Sequence, residues 1–451
     1  MRFCLNAIFL SIFLVSCSSL KEAKESSEHF NRVATYEPYP GLPIHEYRHK
    51  SNGLRVFLIP RENTGAIAYV TSYNVGSRFE LEGKTGLAHL FEHMMFRGTE
   101  SFPEPFKTLS LWGGEYNAFT SRDMTVYHEF VPDRLLPEVM KFESERMRKL
   151  LITKNGFDTE RGAVVSERKK SVDDSPWGRL YWELYQLAYD KHSYKTGPIG
   201  WQKDLDAASF EDALSFYKRF YAPNRANISI AGSFDIPQVL EWLDEHYGSF
   251  ESQTFEEPVI PVEKTVRSYR KKVINLTSQQ VLMADAVFGL SASDPKAAND
   301  LFVCVMLATE ETGFLNYELV EKGIAHSISS DCFPDHDPAL ATIFIEANPG
   351  VSIAKLENAY NAALKKFTAW LSPERIESAK LSFLAGEWEG LRSPMSLAKK
   401  VGTSTTLAGS PLYGFDIIQN LRKLQKQDII DQFESWKKRG KTRVFIQPKQ
   451  H

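Results

Sequence analysis

Along this chain, hydrophobic and polar residues switch repeatedly between a two-residue period and a helical one. Positions 52–60 read as a strand, and 65–75 alternate with many β-branched and aromatic residues, predicting a second. Residues 85–96 place apolar side chains at helical spacing and predict a helix. The stretch 115–131 is strand-like again, carrying Tyr116, Phe119, Val126, Tyr127 and Phe130. Helical stretches follow at about 134–150, 159–171, 180–189 and 210–220, then a strand at 226–231 and a helix at 236–247.

Residues 249–262 lose all periodicity and contain Pro258 and Pro261, as a linker would. Beyond them the order partly repeats. Strands at 272–276 and 280–288 lead into a helix at 295–308, then strands at 326–330 and 341–347. Helices around 353–370 and 373–391 follow, and the chain closes with a helix at 427–437 and a strand at 443–447. One element order on both sides of a linker implies an α+β protein of two similar halves. Identity between the halves is too weak to prove duplication, and no short-period repeat is visible.

Composition adds limits. The 451 residues are 43% hydrophobic and 25% charged, an ordinary globular balance long enough for two or more domains. A net charge of -3, from 54 basic and 57 acidic residues, gives no sign of a nucleic-acid partner. The N-terminus is different in kind. Arg2 precedes an apolar run, 5–15, too short to span a bilayer, which ends in Leu14-Val15-Ser16-Cys17. That ending resembles a bacterial lipobox, in which the chain is cut before the cysteine and the thiol carries lipid. An ordinary secretory signal with Cys17 incidental is the alternative. Ser18, where an aspartate could stand, resembles the pattern of lipoproteins sent to an outer membrane. The expected division is a signal peptide at 1–16, a tether at 17–45, a first half at 46–250, a linker at 251–266 and a second half at 267–451. Of the 4 cysteines, Cys4 would leave with the signal and Cys17 would be acylated. Cys304 and Cys332 could pair in an oxidising compartment, though nothing in their spacing requires it. Cys304, in an apolar run, reads as a small buried hydrophobe.

The chemistry concentrates in His89-Leu-Phe-Glu92-His93. Histidines four apart on a helix share a face and can reach one ion. Glu92, beside that face, can take a proton from water that the ion activates. This inverts the commoner His-Glu-x-x-His order. Two imidazoles and a carboxylate suit zinc, with a fourth position left open. A third ligand must come from elsewhere, and the helix at 159–171 offers Glu160 and Glu167, two turns apart on one face. Either could approach the metal while the other supports it.

The surroundings of the motif are more specific than the motif. Gly76-Ser-Arg-Phe-Glu80 and Lys84-Thr-Gly-Leu-Ala-His89-Leu-Phe-Glu92-His93-Met-Met-Phe-Arg97-Gly98-Thr99 closely resemble the active-site region of the insulinase/pitrilysin family, to which mitochondrial processing peptidase belongs. Three further stretches match in order: Tyr116-Asn117-Ala-Phe-Thr-Ser-Arg-Asp123-Met-Thr-Val-Tyr127, His192-Ser-Tyr-Lys-Thr-Gly-Pro-Ile-Gly200 and Tyr221-Ala-Pro-Asn224. The resemblance is strong from about 52 to 250 and weaker onward. It implies two α/β-sandwich halves of the processing-peptidase type. It makes His89, His93 and Glu167 zinc ligands, Glu92 the general base and Glu160 a supporting acid. It places Asn117 on an edge strand where an extended substrate pairs through its backbone; a turn or strand-end cap is the plainer reading of that residue. Asp123 and Tyr127 are expected to be structural.

The helix at 295–308 has no histidine, so one zinc per chain is expected. The family's second half often carries an arginine and a tyrosine that reach the substrate. Phe314 and His326 stand in their places, so a similar chain in a homo- or heterodimer could supply the missing pair. His326 could itself donate to a transition-state oxygen or be an ordinary histidine. The expectation is a zinc-dependent endopeptidase for unfolded peptides or small proteins. It would be lipid-anchored in a bacterial cell envelope, on an outer membrane facing the periplasm. The rivals are a lipid-anchored scaffold or peptide-binding subunit with a structural metal, and a metal-delivery lipoprotein.

Overall fold

The computed structural model describes residues 26–449 except 267 and 311; the signal peptide and Cys17 lie outside them. The first half runs β1 (Phe30–Tyr36), β2 (Ile44–His49), β3 (Arg55–Pro60) and β4 (Ala66–Tyr73), then α1 (Leu87–Met94) and α2 (Pro105–Leu111). The hairpin β5 (Glu115–Thr120) and β6 (Thr125–Pro132) leads to α3 (Leu136–Arg148), α4 (Lys154–Arg168) and α5 (Pro176–Ala188). It closes with α6 (Gln202–Ala207), α7 (Phe210–Phe220), β7 (Ala226–Gly232) and α8 (Ile236–Tyr247). The second half has β8 (Arg270–Leu276), β9 (Leu282–Phe288), α9 (Ala297–Ala308), β10 (Ala325–Asp331) and β11 (Leu340–Ala347). Then come α10 (Ile353–Leu364), α11 (Phe367–Trp370), α12 (Pro373–Arg392), α13 (Pro394–Ala408), α14 (Tyr413–Lys423), α15 (Lys426–Trp436) and β12 (Lys441–Pro448).

Two mixed sheets result, ordered β1-β2-β3-β7-β4-β6-β5 and β10-β11-β9-β12-β8. Most sequence-predicted elements are present within a few residues. The stretch 115–131 is a hairpin, because Ser121 Oγ accepts from the Asp123 and Met124 amides and turns the chain. The tether expected over 17–45 is corrected in its second part. Phe30–Tyr36 pairs antiparallel with β2 as the sheet's edge, and Phe30 and Ile44 are fully buried. Its alternate positions Asn31, Val33 and Thr35 are exposed, as on an edge strand with one wet face, which composition does not separate from a tether. The region 394–423, which carried no predicted element, forms α13 and α14.

The halves interlock. The first half's α5 lies on the second sheet, packing Leu180, Leu184 and Ala188 against Leu282, Ala284, Val444 and Ile446. Reciprocally, α13 crosses to the first sheet and packs Leu397, Ala398 and Val401 against Phe57, Ile59, Ala68 and Val70. Gly402 allows that approach, since a Cβ there would meet Ser72 Oγ at 2.8 Å. A polar clasp adds to the apolar contacts: Asp337 lies 2.6 Å from Arg78 Nε and 3.0 Å from His192 Nε2. Tyr194 donates to Asp123 at 2.6 Å, and the His336 amide donates to the same carboxylate at 2.9 Å. Asp123 is thus structural, as expected, and the His192-Ser-Tyr194 stretch helps lock the halves together.

Cys304 and Cys332 form a disulfide, so Cys304 is buried but not a free hydrophobe. The linker is irregular yet attached. The Glu263 carboxylate accepts from the amides of Asp190, Lys191 and His192, and Phe255 stacks under Arg225.

Candidate metal centre

The site is built on α1. Its N-cap, Gly86, sits at φ 87°, in the left-handed region, with no capping side chain of its own. Glu80 supplies the cap from outside the helix, accepting from the Gly86 amide at 2.9 Å and the Ala88 amide at 2.8 Å. Burial pushes the Glu80 carboxyl up to about 8, against the opposing pull of those two hydrogen bonds. Thr85, just before the helix, donates to Asp204 at 2.6 Å and accepts from the Trp201 amide. The helix start is therefore held from two sides.

One face of α1 buries Leu87, Ala88, Leu90, Phe91 and Met94 in the first core. The other face turns His89, Glu92 and His93 toward α4 and β5. Thr153 caps α4 by accepting from the Gly156 amide at 3.1 Å, and Phe157 and Val164 pin the helix to the core. That phase presents both Glu160 and Glu167 to the histidines, and their roles separate cleanly. Glu167 Oε2 lies 3.5 Å from His93 Nε2 and 3.8 Å from His89 Nε2. Glu160 Oε2 lies 3.3 Å from the opposite ring nitrogen, His93 Nδ1, and its Oε1 lies 2.7 Å from Arg97. Glu160 thus orients a histidine and does not face the metal position.

Do these residues fit zinc? Ligand atoms about 2.0–2.2 Å from a tetrahedral ion stand about 3.3–3.6 Å apart. The three candidate ligand atoms all lie within 4.8 Å of one another, and the Glu167–His93 separation is 3.5 Å. The donor set and its spacing fit. Glu160 and Glu167 raise His93 to about 9, whereas burial holds His89 down to about 4. The hydrogen bond with His93 holds the Glu167 carboxyl below its usual range, and burial raises that of Glu92.

Glu92 points toward β5, where Thr120 Oγ1 lies 2.5 Å from its Oε2. β5 pairs with β6 on one side and ends the sheet on the other. Asn117 is exposed on this edge strand. Its side-chain oxygen accepts from the Ala118 amide at 2.8 Å, and its backbone oxygen lies 2.7 Å from His128 Nδ1. The residues expected to matter in the second half are elsewhere. Phe314 is buried in the second core against Phe367 and Trp370, and His326 is exposed on β10, the edge of the second sheet. Among the described residues, no hydrogen bond or ion pair joins His326 to the metal cluster. Glu80, Arg97 and Thr120 were not singled out by sequence reasoning. All three lie within the stretches that carried the family resemblance, which was the available signal.

A fold of two interlocked α/β halves, with one inverted histidine–glutamate helix facing an acid helix, defines a class of metallopeptidase-like proteins. The chain belongs to the insulinase family, Peptidase family M16: that domain matches residues 57–197, and the Peptidase M16 inactive domain matches 207–383. The zinc protease PqqE of Helicobacter pylori is 29% identical over 390 residues, covering 84% of each chain. A protease structure from Helicobacter pylori superposes with a TM-score of 0.84 at 25% identity, covering 90% of this chain and 100% of the other. The periplasmic protease PqqL from Escherichia coli superposes at 0.70 and 19% identity, covering 92% of this chain and 48% of that one.

Proposed function

We propose that this protein is a zinc-dependent endopeptidase acting on unfolded peptides or small proteins. The observation that carries the reading is the convergence of His89, His93 and Glu167 from two helices, with the Glu92 carboxylate beside them and in no ion pair among the described residues. When bound there, zinc supplies a Lewis acid at the scissile carbonyl and makes water more acidic. The residues do the rest. Glu92 takes a proton from the attacking water and delivers it to the leaving amine, with no covalent intermediate. Glu160, braced by Arg97, fixes the ring of His93 so that Nε2 faces the metal. The open edge of β5, with Asn117 on it, accepts an extended peptide by main-chain pairing, which demands little of its sequence. The second half, whose Phe314 is core, acts as a frame. A similar chain in a homo- or heterodimer supplies the substrate contacts that Phe314 and His326 do not.

A bacterial envelope location is part of this proposal, with the Cys17 lipid anchor holding the enzyme at an outer membrane facing the periplasm. The Cys304–Cys332 disulfide supports an oxidising compartment, and the Escherichia coli relative is a periplasmic protease.

The test is a pair of variants read for both metal content and cleavage of an unstructured peptide. Glu92→Gln is expected to keep one zinc per chain and lose hydrolysis by on the order of 10²–10⁴-fold. His93→Ala is expected to lose zinc and activity together. Wild-type cleavage by the Glu92→Gln protein would show the mechanism to be wrong, and cleavage indifferent to a chelator would remove the metal from it.

A further inference from the structure

The general base is tethered to the substrate strand. Thr120 is the last residue of β5, and its hydroxyl makes the one hydrogen bond to the Glu92 carboxylate found among the described residues. Its backbone lies on the open edge of the sheet, opposite Thr125, whose own hydroxyl is fixed to the Val75 carbonyl at 2.9 Å. Tyr116, Ala118 and Thr120 share the half-buried face of the strand, and β5 packs against α1. So one residue joins two parts of the site that come from different elements.

A carboxylate in a cleft can turn about its Cγ–Cδ bond and offer either oxygen. The Thr120 hydroxyl has one proton, and giving it to Oε2 selects Oε1 as the free acceptor. From this geometry we infer that Thr120 is a positioning residue for the general base, holding the Glu92 carboxylate in one orientation beside the edge strand. The inference rests on the peptidase reading and deepens it. In the reaction the water oxygen bonds to the scissile carbonyl carbon as its O–H bond breaks, and the proton goes to Glu92 Oε1. The proton then passes to the amine nitrogen as the C–N bond breaks. The Thr120 proton stays on Thr120 throughout.

The test compares Thr120→Val, nearly isosteric but without the hydroxyl, with Thr120→Ser, which keeps it. Four quantities are read: kcat, KM, zinc per chain, and the affinity of the chelator-treated protein for a fluorescent unstructured peptide. A hydrogen bond to a charged group contributes enough to predict a kcat loss of on the order of 10- to 100-fold in Thr120→Val. KM, zinc content and peptide affinity are expected to stay at wild-type values, and Thr120→Ser to recover most of kcat. An unimpaired kcat in Thr120→Val overturns the inference. So does a parallel loss of zinc or peptide affinity, or a serine variant as slow as the valine one. Failure of wild type to cleave, or cleavage that a chelator leaves intact, overturns the peptidase reading itself. Cleavage by wild type that chelator stops, with Thr120→Val equally fast, sinks this inference alone.

Discussion

α1 is the first helix of the first half and α9 the first helix of the second, and they have been put to opposite uses. α1 buries one face and leaves His89, Glu92 and His93 only partly covered. α9 is buried on nearly every side, with Leu301, Phe302, Val303, Cys304, Met306 and Leu307 all in the core. α15 and α14 pack over it, and the disulfide pins it to the segment after β10. Even its buried acid is spent on structure: Asp300 accepts from Trp436 Nε1 and Gln432 Nε2 at 2.6 Å and from Arg439 at 2.8 Å. The helix that can do chemistry keeps donors and acceptors that the fold does not consume. The framing helix satisfies every one it can.

That contrast can be broken at several points. The largest stability effect belongs to α9. Asp300→Ala leaves Arg439 mostly buried without its partner, and a loss of about 3 to 5 kcal/mol in urea unfolding is expected. Zinc content of the molecules that remain folded should not change. Replacing both Cys304 and Cys332 with alanine removes a cross-link between residues 28 apart and is expected to cost about 3 kcal/mol. Cleavage per folded molecule should again be preserved, and a fall in kcat would mean that the framing half reaches the chemistry.

On the α1 side the effects are smaller in stability and visible in metal binding. Glu160→Gln weakens the hold on His93 and is expected to reduce zinc affinity by about 10- to 100-fold, measured by competition with a chromogenic chelator. Unchanged affinity would separate Glu160 from the site. The external cap adds an effect that depends on pH. The Glu80 carboxyl, raised by burial to about 8 in the fold, binds its proton more tightly than in the unfolded chain, where a glutamate titrates near ~4.3. The stabilisation linked to that proton is complete below the unfolded value and is lost as pH rises through about 8. Glu80→Gln cannot titrate. The stability of wild type relative to Glu80→Gln should therefore fall steadily as pH rises from 5 towards 8, measured by urea unfolding across that range. A pH-independent difference would contradict the buried carboxyl.

Much of the site could be read along the chain because it is local. His89, Glu92 and His93 sit on two turns of one helix, so their spacing alone places them together. The second element of the site could be read only as a choice. Glu160 and Glu167 share a face, and no sequence pattern states which reaches the Nε2 side of the histidines. The edge strand β1 was hidden for a different reason: seven residues with one wet face carry too little hydrophobic signal to stand apart from a polar tether. The exchange of α5 and α13 between the halves has no local signature either. A helix with an apolar stripe looks the same whichever sheet it covers.

The sequence by itself determined the two imidazoles and the carboxylate between them on one helix and the repeated order of strands and helices, while the class of chemistry came with the resemblance to the insulinase family. The first two follow from periods of two to four residues, which short-range geometry enforces wherever the chain lies. Tertiary structure decided that Glu167 faces the metal position while Glu160 braces His93, that Thr120 holds Glu92, and that Cys304 meets Cys332. Those pairings join side chains 28 or more positions apart. Their distances are set by how Phe157 and Val164 seat α4 in the core and how each half's helix is pressed onto the other's sheet. Packing at near-crystalline density fixes such contacts to within an ångström, and no periodicity along the chain encodes them.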